Sequence, residues 1–475
     1  MRNFCQHARR AATILITTAA MSVAAAAPLT AQQLRADLQL ARTALEETHG
    51  GIYRYATKAK VDRAFEQAAA AMERPMEPAQ FQGILATTIA ALRCGHTGVM
   101  PSPALKAAME QALLLPQEVK LIEDRLFVLR DFDGAGKLAG REIVSVNGVP
   151  TTTIIARLLA ASPGDGFIAT GRAQRVARKF REDLFTHFGM HGQFSLGLGD
   201  PIGATATMPG QTMAAIKLAS ASRYPQDRRQ TRFAELSLLD DGTIAHLKIF
   251  NFSAEDEDDD GPSILRKAFE KMATSGTQTL LLDLRDNGGG EDVLGKRLFS
   301  HLVDAPFRYY EELTVKRAGV SYAEHVEGEA GIPARALTPR ADGLYSLGSH
   351  PNLGMQKAAL PTFSGRVIAL INGRSFSTTA ELITQLHDKQ RATFVGEESG
   401  GAYHGNSSGE DVTLVLPNSR LKVAIPLVTY KLAVRGSHPN GRGVVPEYKV
   451  VPGIQDYLRG HDVVLEKALA LARAR

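Results

Sequence analysis

The sequence predicts an α/β fold for roughly residues 236–475, and three stretches carry that expectation. "TQTLLLDLRDNGGGEDVLGKRLFSHL" runs a strand of consecutive leucines into a triple-glycine turn and then a helix. "GRVIALINGRSFSTTAELITQLHD" repeats that grammar, and "ATFVGEESGG" adds a third buried strand. Unbroken apolar runs suit strands covered on both faces, and their alternation with helices implies α/β architecture.

At 475 residues the chain is too long for one ordinary core, so two or three domains are expected. Apolar residues make up 44% and charged residues 22%, a globular composition. Trp is absent, which argues against an aromatic platform for carbohydrates or bases. The opening "MRNFCQHARR", the apolar "AATILITTAAMSVAAAA" and the small residues after it read as a signal peptide over 1–31. The alternative is an uncleaved anchor. No other segment reaches the roughly 18 apolar residues of a membrane span. The mature protein is therefore expected to be exported, periplasmic or secreted. Without the leader's Arg2, Arg9 and Arg10 the net charge falls from +5 to about +2. No basic stripe interleaved with aromatics appears, so nucleic acid is not an expected partner. With Cys5 in the leader, Cys94 has no intrachain disulfide partner and reads as small buried filling.

Along the chain, residues 32–93 recur in apolar character at three- and four-residue intervals and predict three helices, with Pro78 in the first turn of the third. From about 117 the period shortens. "EVKLIED", "RLFVLRDF" and "REIVSVNGVP" read as strands with Asn147-Gly148 as a turn. Residues 151–160 and 169–189 predict helices, and "FSLGLG", "IGATATM" and "TRFAELSLLDDGTIAHLKIFNF" further strands. The acidic run "AEDEDDDG" lacks EF-hand spacing and reads as a solvated loop before the helix "PSILRKAFEKMA".

Two features could do chemistry. Gly288, Gly289 and Gly290 either permit a tight turn or expose backbone N–H groups, as an oxyanion hole requires. They fit neither GxxxxGK[ST] nor GxGxxG. Ser377 sits where the following helix begins, so it is either an N-cap contributing about 1 kcal/mol or a nucleophile at a helix N-terminus. A serine nucleophile needs a base, and spacing does not choose among the loop histidines His96, His350, His404 and His438.

Taken together, "LLLDLRDNGGG", "ALINGRSFSTTAELI", "ATFVGEESGG", "LRCGHTGV" and the closing "HPNGRGVVPEYKV" resemble the C-terminal processing (tail-specific) and tricorn-type serine peptidases, a group with retinoid-binding relatives. "GREIVSVNGVP" is similar to the end of a PDZ-like module. The resemblance implies a crotonase/ClpP-like ββα catalytic core. It divides the chain into a helical region at 32–115 bearing the His96 loop, a PDZ-like region at 116–200 and the peptidase domain at 201–475.

The resemblance also assigns Ser377 as nucleophile, with Ser375 and Thr378 as alternatives. Glu381 falls four residues after Ser377, where the family has three. Ala402 stands where the Ser–Lys branch carries its lysine, so the resemblance favours the tricorn-like branch, with His96 as general base. That branch draws an acid from the tail loop, where this chain has Asn440; Glu410 and Glu447 are other candidates. The implied reaction is acyl transfer to Ser377, with the oxyanion held by backbone N–H groups of Gly288 or Gly289 and Thr378, and with no metal or organic cofactor. Implied partners are protein or peptide substrates, held by strand addition to the PDZ-like edge; oligomer formation stays open. The alternative on this scaffold is a non-catalytic protein that holds a peptide or hydrophobic ligand.

Overall fold

The computed structural model describes residues 28–133, 137–224, 232–253 and 260–474. Nearly all of the expected signal peptide, and most of the acidic run, lie outside these residues. Leu29 already pairs with Met76, and Thr30 caps the first helix through a reciprocal bond with Gln33.

The architecture is mixed α/β. A six-stranded sheet runs in the order Ala234–Leu239, Ile244–Ile249, Thr279–Asp283, Arg366–Ile371, Thr393–Gly396, Tyr448–Lys449. Its first pair is antiparallel and the remaining neighbours are parallel. All five residues of Thr279–Asp283 are buried, which accounts for the leucine run. Leu280 and Leu282 face the main core, while Leu281, beside Ile368, packs with Val464 and Ala468 of the C-terminal helix Val463–Arg473. That helix is tied down by Arg285, which bridges Asp283 and Asp462.

The helices Ala31–Thr48, Lys58–Ala70 and Pro78–Ala90 add Leu34, Leu45, Phe65, Phe81 and Leu85 to the same core as the sheet. Pro78 occupies the first turn, where its missing N–H costs no bond. The chain then passes through the His96 loop into Gly98–Met100, which pairs antiparallel with Lys422–Ile425.

Strands Gln117–Ile122, Arg125–Asp131, Glu142–Val146, Gln193–Leu198 and Thr205–Pro209 form an antiparallel sheet. With helices Thr151–Ala161 and Ala169–Phe188 it encloses a separate core of Leu126, Ile143, Ile154, Phe180 and Phe194. The sheet continues past residue 200 to Pro209. Asn147 (φ 50°) and Gly148 (φ 79°) make the expected turn.

Two further antiparallel sheets, built around Tyr310–Val315 with Val428–Leu432 and around Val412–Val415 with Lys422–Ile425, have no counterpart in the sequence reading. No helix among the described residues is long and apolar enough to cross a membrane.

Candidate active site

The turn after strand Arg366–Ile371 distributes its three hydroxyls to three tasks. Ser375 is buried; its Oγ donates to Leu284 O (2.8 Å) and accepts from Asn372 N (3.1 Å), so it braces the turn. Thr378 Oγ1 donates to Gly290 O at 2.7 Å, which locks the helix start to the glycine turn. Ser377 holds the N-cap position of helix Thr378–Asp388, yet its side chain makes no capping bond. Its backbone sits at φ 56°, ψ −131°, a strained conformation for a residue with a Cβ. Ser377 Oγ instead lies 3.0 Å from His96 Nε2. The pair is separated by 281 residues in sequence.

His96 is held from several sides. Its ring stacks on Phe376, with centroids 4.5 Å apart and planes at 28°. The preceding Gly95 must lack a side chain, because a Cβ there would come within 2.6 Å of Phe376 Cζ. The following Thr97 shares a 2.8 Å hydrogen bond with buried His49, and Gly98 enters a sheet. Burial lowers the His96 pKa below the ordinary value; Asp165 opposes that effect and Arg175 adds to it. The Nδ1 atom is buried and has no hydrogen-bond partner.

The glycine turn closes the other side. Buried Asn287 accepts from Phe376 N (3.1 Å) through its carbonyl and donates Nδ2–H to Ile249 O (3.1 Å). Gly289 has φ 101°, and a Cβ on it would stand 2.6 Å from Ser377 Cβ, so only glycine lets the turn approach this serine. Its N–H donates to Asn287 Oδ1 at 2.9 Å, away from the role expected of it. Among the described residues no hydrogen bond engages the N–H of Gly288 or of Thr378. These two are the free donors flanking Ser377.

None of the expected third members hydrogen-bonds to His96 Nδ1. Asn440 and Glu410 are exposed, and neither bonds to His96 Nδ1. Glu447 accepts from Phe394 N (2.7 Å), a bond that fixes strand Thr393–Gly396. Glu381, one turn into the helix, is buried and accepts from Tyr310 Oη (2.6 Å) and Asn406 Nδ2 (2.8 Å). Burial, then the neighbouring Asp292 carboxylate, push its carboxyl up to about 7. Of the other loop histidines, His350 pairs with Asp292 at 3.1 Å, and His438 donates to Gly443 O at 2.8 Å.

Ala402 contributes only backbone, its N–H directed at Asp165 Oδ2 (3.4 Å). Asp165 had no signal in the sequence, being a lone acid in the loop "SPGDGF". It is buried, and its Oδ1 accepts from Gly95 N at 2.7 Å. One ring nitrogen of His96, Cys94 Sγ and an Asp165 carboxylate oxygen lie within 4.8 Å of one another. Burial, then Asp165, push the Cys94 thiol up to about 12, so it stays protonated. A cleft of about 210 Å³ opens beside His96, lined by Thr97, Met100, Pro163, Arg175 and Lys179 among others.

Residues 243–450, which include the glycine turn and the Ser377 turn, match the model of peptidase family S41. The chain carries an S41 serine-type peptidase domain. The match begins well after His96, so the histidine loop comes from outside the S41 segment.

Among solved structures, mature CPAF complexed with lactacystin aligns over 93% of this chain and 98% of its own, with a TM-score of 0.64 and 17% identity. A serine-to-alanine mutant of CPAF aligns over 94% and 98%, with a TM-score of 0.66 and 15% identity. At such identities the likeness speaks for the fold shared around the S41 domain. No curated protein matches the chain by sequence.

Proposed function

We propose that this S41 peptidase is an exported enzyme that cleaves peptide bonds through a Ser377 acyl-enzyme, with His96 as general base. The observation that carries this reading is the 3.0 Å contact between His96 Nε2 and Ser377 Oγ, made by a serine that forgoes capping its own helix. His96 Nε2 takes the hydroxyl proton as Oγ attacks the substrate carbonyl, then passes it to the leaving amine. The developing oxyanion is held by the N–H groups of Gly288 and Thr378, with the first turn of helix Thr378–Asp388 adding its partial positive charge. Water hydrolyses the ester by the reverse proton route.

On this reading the sheet from Thr279 to Gly396 with helix Thr378–Asp388 is the crotonase/ClpP-like core, and the sheet from Gln117 to Pro209 is the PDZ-like module. An extended protein substrate adds to an edge strand of that module and reaches Ser377 past the cleft beside His96. Export rests on the cationic and apolar character of the first 31 residues.

Casein cleavage by wild type, Ser377→Ala and His96→Ala tests the assignment. Each substitution should lower kcat by about 10³-fold or more, as removal of a triad member does elsewhere. Cleavage that survives both changes overturns it. Lactacystin, with which mature CPAF was crystallised, supplies a second probe: it should block wild type and leave no adduct on Ser377→Ala.

A further inference from the structure

We infer that Asp165 is the positioning residue that supplies the negative charge behind His96, in place of an acid from the tail loop. This rests on the Ser377–His96 reading above and deepens it.

Three observations lead there. His96 Nε2 is committed to Ser377, leaving Nδ1 buried without a hydrogen-bond partner. Asn440, where an acid was expected, is exposed and neutral. Asp165 is only 2% exposed, and its carboxylate lies within the 4.8 Å group formed with a His96 ring nitrogen and Cys94 Sγ. A buried carboxylate needs compensation, and here it accepts two backbone N–H bonds, from Gly95 and Ala402. Those bonds fix its position between the histidine loop and the segment that follows strand Thr393–Gly396. The loop is pinned further by Gly166 N to Arg93 O (2.9 Å) and Phe167 N to Gly441 O (2.7 Å).

The charge balance is simple. Before reaction the imidazole is neutral and Asp165 carries one negative charge. When Nε2 takes the Ser377 proton, the imidazolium forms beside that fixed charge. When the proton leaves on the amine, the imidazole is neutral again, and Asp165 has neither gained nor lost a proton. The group acts through His96 and does not touch substrate.

Other charged or titratable groups face the ring: Cys94, His49 and Arg175, with Lys179 and Asp183 across the cleft. Arg175 opposes imidazolium formation, so Asp165 is the anion that offsets both burial and this cation.

The test compares wild type, Asp165→Asn and Asp165→Glu in peptide hydrolysis, and titrates the His96 ring by NMR. Asp165→Asn should lower kcat by about 100-fold with KM little changed, within the range of lost general-base support. The His96 titration, and with it the acid limb of kcat/KM, should move to lower pH. Asp165→Glu, which restores the charge, should recover part of both. A kcat loss with an unshifted His96 titration would mean Asp165 is only a loop brace, and the inference falls; unchanged kcat overturns it equally. The NMR shift is readable in a Ser377→Ala background, so failure of the nucleophile assignment is distinguishable from failure of this one.

Discussion

Ser377 gives up the usual contribution of an N-cap, about 1 kcal/mol, and adopts a positive φ whose cost is of order 1–3 kcal/mol. That strain is tolerated because Ser375, Thr378 and Phe376 are each bonded on either side of it. The rigid turn delivers Oγ to His96 without local rearrangement. His96 in turn sits where charge is disfavoured: burial and Arg175 both oppose the imidazolium, and Asp165 recovers only part of it. A general base must be neutral, and a base whose pKa is lowered stays neutral further into acid. The acid limb of kcat/KM against pH should therefore fall below the ordinary histidine value of 6.5. A pH profile on a peptide substrate checks this, and half-maximal activity at or above 6.5 would contradict it.

Helix Thr378–Asp388 shows what was legible at the scale of elements and what was not. Its start, its preceding strand and the glycine turn were readable because apolar runs and Gly/Ser breaks are local signals. Two-residue strands such as Ser407–Ser408 and Val326–Glu327 carry no such signal and exist only through their partners. Asp165 was illegible for a related reason: its meaning depends on Ala402, 237 residues away. Glu381 was visible only as a spacing departure from the family pattern; its burial with Tyr310 and Asn406 needed the fold. That burial has a thermodynamic consequence. With a native pKa of about 7 against an ordinary 4.5, the native state keeps a proton that the unfolded chain releases. Its contribution therefore favours folding below pH 4.5, weakens as pH rises towards 7, and is flat above. Glu381→Gln has no such dependence, so its stability relative to wild type should rise by up to about 3 kcal/mol between pH 4.5 and 8. Urea unfolding of both proteins at several pH values measures the difference, and parallel curves would refute the buried, protonated Glu381.

Across the whole molecule, the proposed pair of Ser377 and His96 depends on two regions that sequence separates and packing joins. Leu45 and Phe81 of the N-terminal helices share one core with Leu280 and Leu282 of the central sheet, while the sheet around Phe194 has its own. The His96 loop leaves the first core and is stitched to the S41 domain through Gly98–Met100 on Lys422–Ile425. The N-terminal helices thus share the hydrophobic core of the central sheet, and cooperativity should follow the cores. Phe81→Ala removes a fully buried ring and should cost about 3–5 kcal/mol. Its effect should spread to strands Thr279–Asp283 and Arg366–Ile371, raising their amide hydrogen exchange and lowering the temperature at which activity is lost. Phe194→Ala, of the same chemistry and similar burial, should instead raise exchange in Gln117–Ile122 and Gln193–Leu198 and leave the central strands protected. Exchange measured by mass spectrometry on both variants decides the matter. If the two substitutions loosen the same segments, the cores are coupled into one unit; if Phe81→Ala spares the central sheet, the helices are a separable appendage and His96 is positioned by its own strand alone.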